Sequence, residues 1–384
     1  MTIAIGLLMI IGALFIYSAG CTGEEHSAQS PYDYRRQIIW MVMGMICYLF
    51  FAIYDYREWS KLSWWLYGVS VLLLVVVLLV GTRVYGGQRW LAVLGMRVQP
   101  SELAKLANIV ILARIMSRPG TSLKGIKPVA TVLAVVMVPM LLVMREPDLG
   151  TALIFLPMAF LVMFVAGVPV RTLAVLVMVG FVGVMVLLTA VFLPQKLGVN
   201  EAGQWRILRL AGLSEYQKDR IVAFFQPDKD PLGVGWNKTQ SEIAVGSGGV
   251  SGKGFKKGTQ NILGFLPRSV APTDFIYSVI AEEKGFLGSV VVLFLFGSIV
   301  TFALQAAFMA RDKMGRLLCV GAVAMIFCHV FINIAMTVGL LPITGLPLPL
   351  LSYGGSFMIV TMSALGIVQS VYIRSRPAEQ LFLF

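Results

Sequence analysis

The residue types best suited to chemistry gather between Gly246 and Phe286. The run Gly246-Ser-Gly-Gly-Val-Ser-Gly-Lys-Gly-Phe-Lys-Lys-Gly-Thr-Gln260 sets glycines among Lys253, Lys256 and Lys257, and Asp274 follows on Pro272-Thr273. Glycines let a backbone approach a ligand closely and turn its N–H groups toward an anion. A carboxylate can take a proton from a reacting hydroxyl. A cationic loop beside a lone acid at a membrane surface suits group transfer on a lipid pyrophosphate. It is not a nucleotide loop, because G-x-x-x-x-G-K-[ST] is absent. The plainer alternatives are a solvated loop and an acid that merely offsets a helix dipole. Pro272-Thr273 reads as a helix start, which would place Asp274, Ser278 and Glu282 along one helix face.

Two further clusters carry charge at the entrances of apolar segments. In Arg97-Val-Gln-Pro-Ser-Glu-Leu-Ala-Lys105, Pro100 and Glu102 favour a helix start, and Glu102 and Lys105 can pair at i, i+3. Ionisable groups at a span entrance rarely face lipid, so this pair is expected to face a cavity. In Arg145-Glu-Pro-Asp-Leu-Gly-Thr151, Pro147 breaks one helix and Asp148 caps the next. Three charges around that break suggest a pocket wall. His329, inside an apolar stretch, reads as a hydrogen-bonded packing residue rather than a base. Cys21, Cys47, Cys319 and Cys328 show no metal-ligand or redox spacing.

These groups must be held by membrane helices. The 384 residues are 58% hydrophobic and only 13% charged, and the apolar runs are continuous rather than alternating, which favours helices over a barrel. Ten spans are expected at 1–19, 37–54, 62–81, 102–117, 126–144, 150–167, 172–193, 276–307, 316–338 and 355–373. The eighth exceeds one crossing and should begin as an interfacial turn. Met1–Ala19 lacks a basic start and reads as a first span, not a cleaved signal. Lys and Arg in the short loops put both termini in the cytoplasm and the long segment 194–275 outside. Within it, 204–213 and 215–225 have the spacing of amphipathic interfacial helices. The net charge of +12 lies mostly in loops flanking spans, which favours anionic lipid over nucleic acid. The uncharged, proline-rich stretch 338–356 should re-enter the membrane and shape a groove. The fold expected is an all-α polytopic membrane domain with one large extracytoplasmic loop.

Taken in order, several motifs resemble the SEDS family (shape, elongation, division and sporulation) across nearly the whole chain. They are Gln-Pro-Ser-Glu-Leu-Ala-Lys at 99–105, Glu-Pro-Asp-Leu-Gly-Thr at 146–151, Tyr-Gln-Lys-Asp-Arg-Ile at 216–221, Gly-Ser-Gly-Gly at 246–249, Gly-Lys-Gly at 252–254, Gly-Thr-Gln at 258–260, Thr-Asp-Phe-Ile at 273–276 and Leu-Pro-Leu-Leu-Ser-Tyr-Gly-Gly-Ser at 348–356. The segment 339–349 looks more like the family's elongation branch than its division branch. The chain departs from the pattern in the Arg-Ser-Val-Ala-Pro insert at 268–272, in Glu242 where a lysine is common, and in Phe357 where a second serine is usual.

The resemblance implies a peptidoglycan glycosyltransferase that polymerises lipid II in the bacterial inner membrane. It implies a class B penicillin-binding protein as partner, other elongation-complex membrane proteins nearby, and a nascent lipid-linked glycan as second substrate. Asp274 would be the essential acid, with Arg97, Glu102, Lys105, Glu146 and Asp148 lining the central cavity. Lys253, Lys256, Arg206 and Arg220 are candidates for the phosphates, and Thr259, Gln260 and Ser356 for further substrate contacts. A divalent cation, Mg or Mn, could bridge Asp274 and phosphate. The expected reaction is inverting transfer, with Asp274 as general base. Rival readings are a lipid II flippase and a non-catalytic scaffold for a transpeptidase; midplane transport sites fit the outer acid poorly.

Overall fold

The computed structural model describes residues 1–20, 34–84, 87–93, 96–118, 125–196, 203, 208, 215–226, 233–267 and 269–375. Three helices come first: α1 (Thr2–Gly20), α2 (Tyr34–Ile53) and α3 (Tyr56–Val80). A small antiparallel sheet follows, β1 (Thr82–Val84), β2 (Gly87–Val93) and β3 (Met96–Val98). Next come α4 (Pro100–Ser117), α5 (Ile126–Arg145), α6 (Leu149–Ala166) and α7 (Val170–Lys196). The long segment between α7 and the next spanning helix contributes α8 (Glu215–Phe225), α9 (Val234–Ser247) and the short α10 (Thr259–Ile262). The chain closes with α11 (Ile276–Met309), α12 (Lys313–Thr337) and α13 (Gly355–Ser375).

Nine of the described helices are long and apolar enough to cross a membrane, and the chain is a multi-pass membrane protein. They match nine of the ten expected spans. The tenth, α4, carries Glu102, Lys105 and Arg114, and protein rather than lipid covers most of it. Burial is uneven. The apolar stretch of α12 is 78% buried and that of α7 only 6%, so α12 is a central post and α7 a peripheral helix. One apolar core joins α4, α5, α6 and α12; a second joins α1 to the N-terminal part of α11, the 338–353 stretch and α13.

Local chemistry sets the helix ends that matter. Asp148 caps α6 by accepting from the Thr151 N–H at 3.1 Å, and Asp312 caps α12 by accepting from Gly315 N–H, also at 3.1 Å. Pro100 opens α4 at a position where a missing N–H costs nothing.

The long α11 is broken. Gly285 sits at φ 63°, ψ −158°, a region open essentially to glycine alone. The break strands carbonyls before it and N–H groups after it, and the glycine-rich loop supplies the partners. Lys253 N–H donates to the Glu282 carbonyl and Gly254 N–H to the Glu283 carbonyl, both at 3.0 Å. Phe286 N–H donates to the Gly249 carbonyl at 2.9 Å and Leu287 N–H to that of Val250 at 3.1 Å. A β-carbon at Gly252 would run into the Glu283 carbonyl. The glycines therefore permit backbone to approach backbone, splinting a broken helix.

Candidate active site

Asp274 does not open a helix. It lies in a run of tight turns, with Thr273 N–H and Phe275 N–H both donating to the Val270 carbonyl, and α11 starts two residues later at Ile276. Pro272, which has no N–H to donate, sits within this run. The expected Asp274–Ser278–Glu282 face therefore reduces to Ser278 and Glu282, both buried.

The half-buried Asp274 carboxylate meets groups from four other elements. A β-carbon on Gly345 would lie 3.4 Å from Asp274 Oδ2 and 3.1 Å from Arg220 Nη1, so acid and guanidinium share one backbone wall. Arg220 comes from α8, and Arg89 from β2 adds a second guanidinium to the field. Burial pushes the Asp274 carboxyl up to about 6; Arg220 and then Arg89 oppose the shift, and Asp148 adds to it.

Arg89 also ties the site to the α5–α6 corner. Its Nε donates to the Glu146 carbonyl at 3.1 Å, and Nη1 lies 3.9 Å from Asp148 Oδ1. Asp148 is saturated, since Oδ2 accepts from the Thr151 hydroxyl and from Gln99 Nε2, each at 3.0 Å. The Glu146 side chain is fully buried, and neither carboxyl oxygen has a hydrogen-bond partner among the described residues. Burial, reinforced by Asp148 and opposed by Arg89, pushes this carboxyl up to about 9.

A second polar group lies deeper. Lys105 Nζ is 2.9 Å from Glu102 Oε1 and 2.7 Å from His329 Nε2, and His329 Nδ1 faces the Pro347 carbonyl at 3.4 Å. An ammonium beside Nε2 requires that nitrogen to accept, which leaves the ring proton on Nδ1. The irregular stretch around 345–347 links both groups. Gly345 walls the acid, the Leu346 carbonyl binds Asn333, and the Pro347 carbonyl binds His329. Most of this stretch is buried in protein, as irregular backbone at membrane depth requires.

The glycine-rich loop closes elsewhere. Glu282 Oε1 accepts from Lys253 Nζ at 2.7 Å, from the Thr259 hydroxyl at 3.0 Å and from Gln260 N–H at 3.0 Å. Glu283 accepts from Ser18 at 2.6 Å and from Lys256 N–H at 3.0 Å, and the Lys256 ammonium sits 4.0 Å from the Tyr17 ring centre. Lys253, Lys256, Thr259 and Gln260 are thus gathered around two carboxylates of α11, roughly 9 Å of helix rise beyond its first residue. Ser356 is half-buried in the first turn of α13. Arg97 is exposed on β3, paired with Ala92, and Arg206 lies outside the described residues. Arg89 and Asn333, absent from the sequence-based site, are both in contact with it.

Arg220 and Arg89 act on the Asp274 carboxylate, and no group of three His, Cys, Asp or Glu residues able to hold a metal occurs among the described residues, so a divalent cation there would need phosphate oxygens beside Asp274.

The chain matches a family profile described as "Cell cycle protein", covering FtsW, RodA and SpoVE, over residues 1–376. It is 36% identical over 366 residues to the peptidoglycan glycosyltransferase MrdB of Escherichia coli K12, covering 95% of this chain and 92% of that protein. It is 33% identical to the peptidoglycan glycosyltransferase RodA of Treponema pallidum, covering 96% and 95% of the two chains. Among solved structures, a chain of a peptidoglycan synthase complex that coordinates polymerization and crosslinking superposes with a TM-score of 0.74 at 29% identity, covering 96% of each chain. The rod shape determining protein RodA of Thermus thermophilus superposes with a TM-score of 0.67 at 26% identity, covering 98% of this chain and 96% of that one. Motif order, fold and full-length similarity agree, and the chain belongs to the FtsW/RodA/SpoVE family of cell cycle proteins.

Proposed function

We propose that the chain is a peptidoglycan glycosyltransferase that polymerises lipid II by inverting transfer, with Asp274 as general base. The observation that carries the assignment is a half-buried carboxylate that shares the Gly345 wall with Arg220 and lies in the field of Arg89. Asp274 takes the proton of the 4-hydroxyl of an incoming lipid II as that oxygen attacks the anomeric carbon of the growing strand. The carbon–oxygen bond to the lipid diphosphate breaks, the new glycosidic bond forms, and the proton leaves Asp274 for water. A base with a pKa near 6 is ionised at neutral pH yet still accepts a proton usefully. The departing diphosphate needs charge neutralisation more than a proton, and Arg220 and Arg89 are the cations beside the acid.

The active site faces the extracytoplasmic side of the bacterial inner membrane, and both termini lie in the cytoplasm. The charge bias of the short loops supports this orientation, and α8 and α9 fall within the outer segment. A class B penicillin-binding protein is the proposed partner, alongside other elongation-complex membrane proteins; the superposition on a synthase complex supports it. The test is purified protein in detergent given lipid II. Wild type should yield glycan strands, and Asp274→Ala should yield none while keeping its level and fold. Strands from Asp274→Ala would overturn the base assignment. A wild type that forms none would leave a flippase or scaffold.

A further inference from the structure

The backbone on which Asp274 sits is held by its carbonyls, one after another. The Pro272 carbonyl accepts from Tyr353 N–H at 2.9 Å, the Thr273 carbonyl from the Ser352 hydroxyl, and the Asp274 carbonyl from Asn333 Nδ2 at 2.8 Å. The same Asn333 nitrogen donates to the Leu346 carbonyl at 2.7 Å. Both neighbours can only accept, so the amide nitrogen must face them and both its hydrogens are engaged. Asn333 is fully buried near the end of α12, the best-covered spanning helix. Its Oδ1 has no hydrogen-bond partner among the described residues, so the amide group serves no bond within its own helix.

The two carbonyls bracket the reacting group. One belongs to Asp274 itself, and the other follows directly on Gly345, where a β-carbon would meet both Asp274 Oδ2 and Arg220. One side-chain nitrogen therefore fixes the acid relative to its wall.

We propose that Asn333 is a positioning residue for catalysis, holding the Asp274 backbone and the 345–346 backbone at the spacing that keeps the carboxylate against Arg220. Ser352 does the same one residue earlier, through the Thr273 carbonyl. The proposal rests on Asp274 being the base. A carboxylate released from this clamp is worse aimed, and misplacement by about 1 Å costs roughly 10²-fold in rate. It is also better hydrated, which relieves the burial that raises its pKa. The charged groups facing it, Arg220 from α8, Arg89 from β2 and Asp148 at the start of α6, remain in place.

The test uses the full chain in detergent with lipid II, measuring initial rates from pH 5 to 8 and unfolding temperature. Asn333→Leu keeps the approximate shape, removes both donors and adds no charge, and should lower kcat about 10²-fold with KM within about twofold. The acidic limb of its rate profile should move to lower pH. Ser352→Ala should shift the limb the same way with a smaller loss, and decides the matter if Asn333→Leu does not fold. A general loss of stability would lower the folded fraction and leave the limb where it is. Unchanged kcat, or a loss without a shifted limb, in the folded variants would overturn the proposal. Activity in a parallel Asp274→Asn variant would instead overturn the base assignment on which it rests.

Discussion

Two acidic centres lie on the N-terminal end of α11 and its approach, and they are built in opposite ways. Glu282 and Glu283 are enclosed by the glycine-rich loop, and five side-chain and backbone donors converge on their oxygens. Asp274 instead stands half-buried in a turn, opposed by guanidiniums borne on separate elements and fixed through its backbone carbonyl. A carboxylate satisfied from within its own loop is a fastener. One held by its backbone, with charge arrayed around its side chain, is free to exchange a proton. Lysines and glycines in a run do not distinguish the two; the partners they already have do.

The sharpest way to break this contrast is to neutralise each acid. Asp274→Asn should lower the polymerisation rate by at least the roughly 10²–10⁴-fold typical of a lost general base, with an unchanged unfolding temperature. Glu282→Ala should do the reverse. It deprives three donors of their acceptor and should destabilise the protein by about 1–3 kcal/mol in thermal unfolding, while the folded fraction keeps the wild-type pH profile. A Glu282 variant that folds normally yet loses catalysis would erase the distinction.

Titration offers a finer probe. The base must be ionised to act, so wild-type activity should fall as pH drops through about 6, and Glu282→Ala should show the same limb. The smallest effect is expected at Glu146. Its carboxyl is raised from an ordinary 4.5 to about 9, so across that window the folded state holds a proton the unfolded chain has released. Stability therefore declines as pH rises through the window. Glu146→Gln should flatten that decline and leave activity at pH 7 close to wild type, since it replaces an already neutral group. Thermal unfolding at several pH values checks it.

The spans were legible because continuous apolar length is a strong signal and lipid leaves little choice of structure. The over-long eighth span was legible too, and Gly285 supplies the reason. Glu102 with Lys105, and Asp148 as a cap, follow from local spacing, and the structure places each in its expected pairing. What could not be read was which distant backbones meet. Arg89 looks like one more loop cation until a three-stranded sheet turns it toward Asp148, while Arg97, nearer the motif, is exposed. Asn333 is a lone amide in an apolar span, and nothing within reach along the helix hints at its two carbonyls 59 and 13 residues away. The glycine-rich loop carried the signature of anion binding, yet close approach to a helix backbone demands the same residue.

The interruption at Gly285 leaves two lengths of α11 joined by the glycine-rich loop as well as by the chain itself, since the loop bonds to both flanks of the break. Membranes of different thickness oblige a spanning helix to lean. The segment before residue 285 is also tied to α9 through the Ser241–Ser278 contact at 2.7 Å. A lean of the longer segment would therefore carry the loop and α9 along with the helix tip.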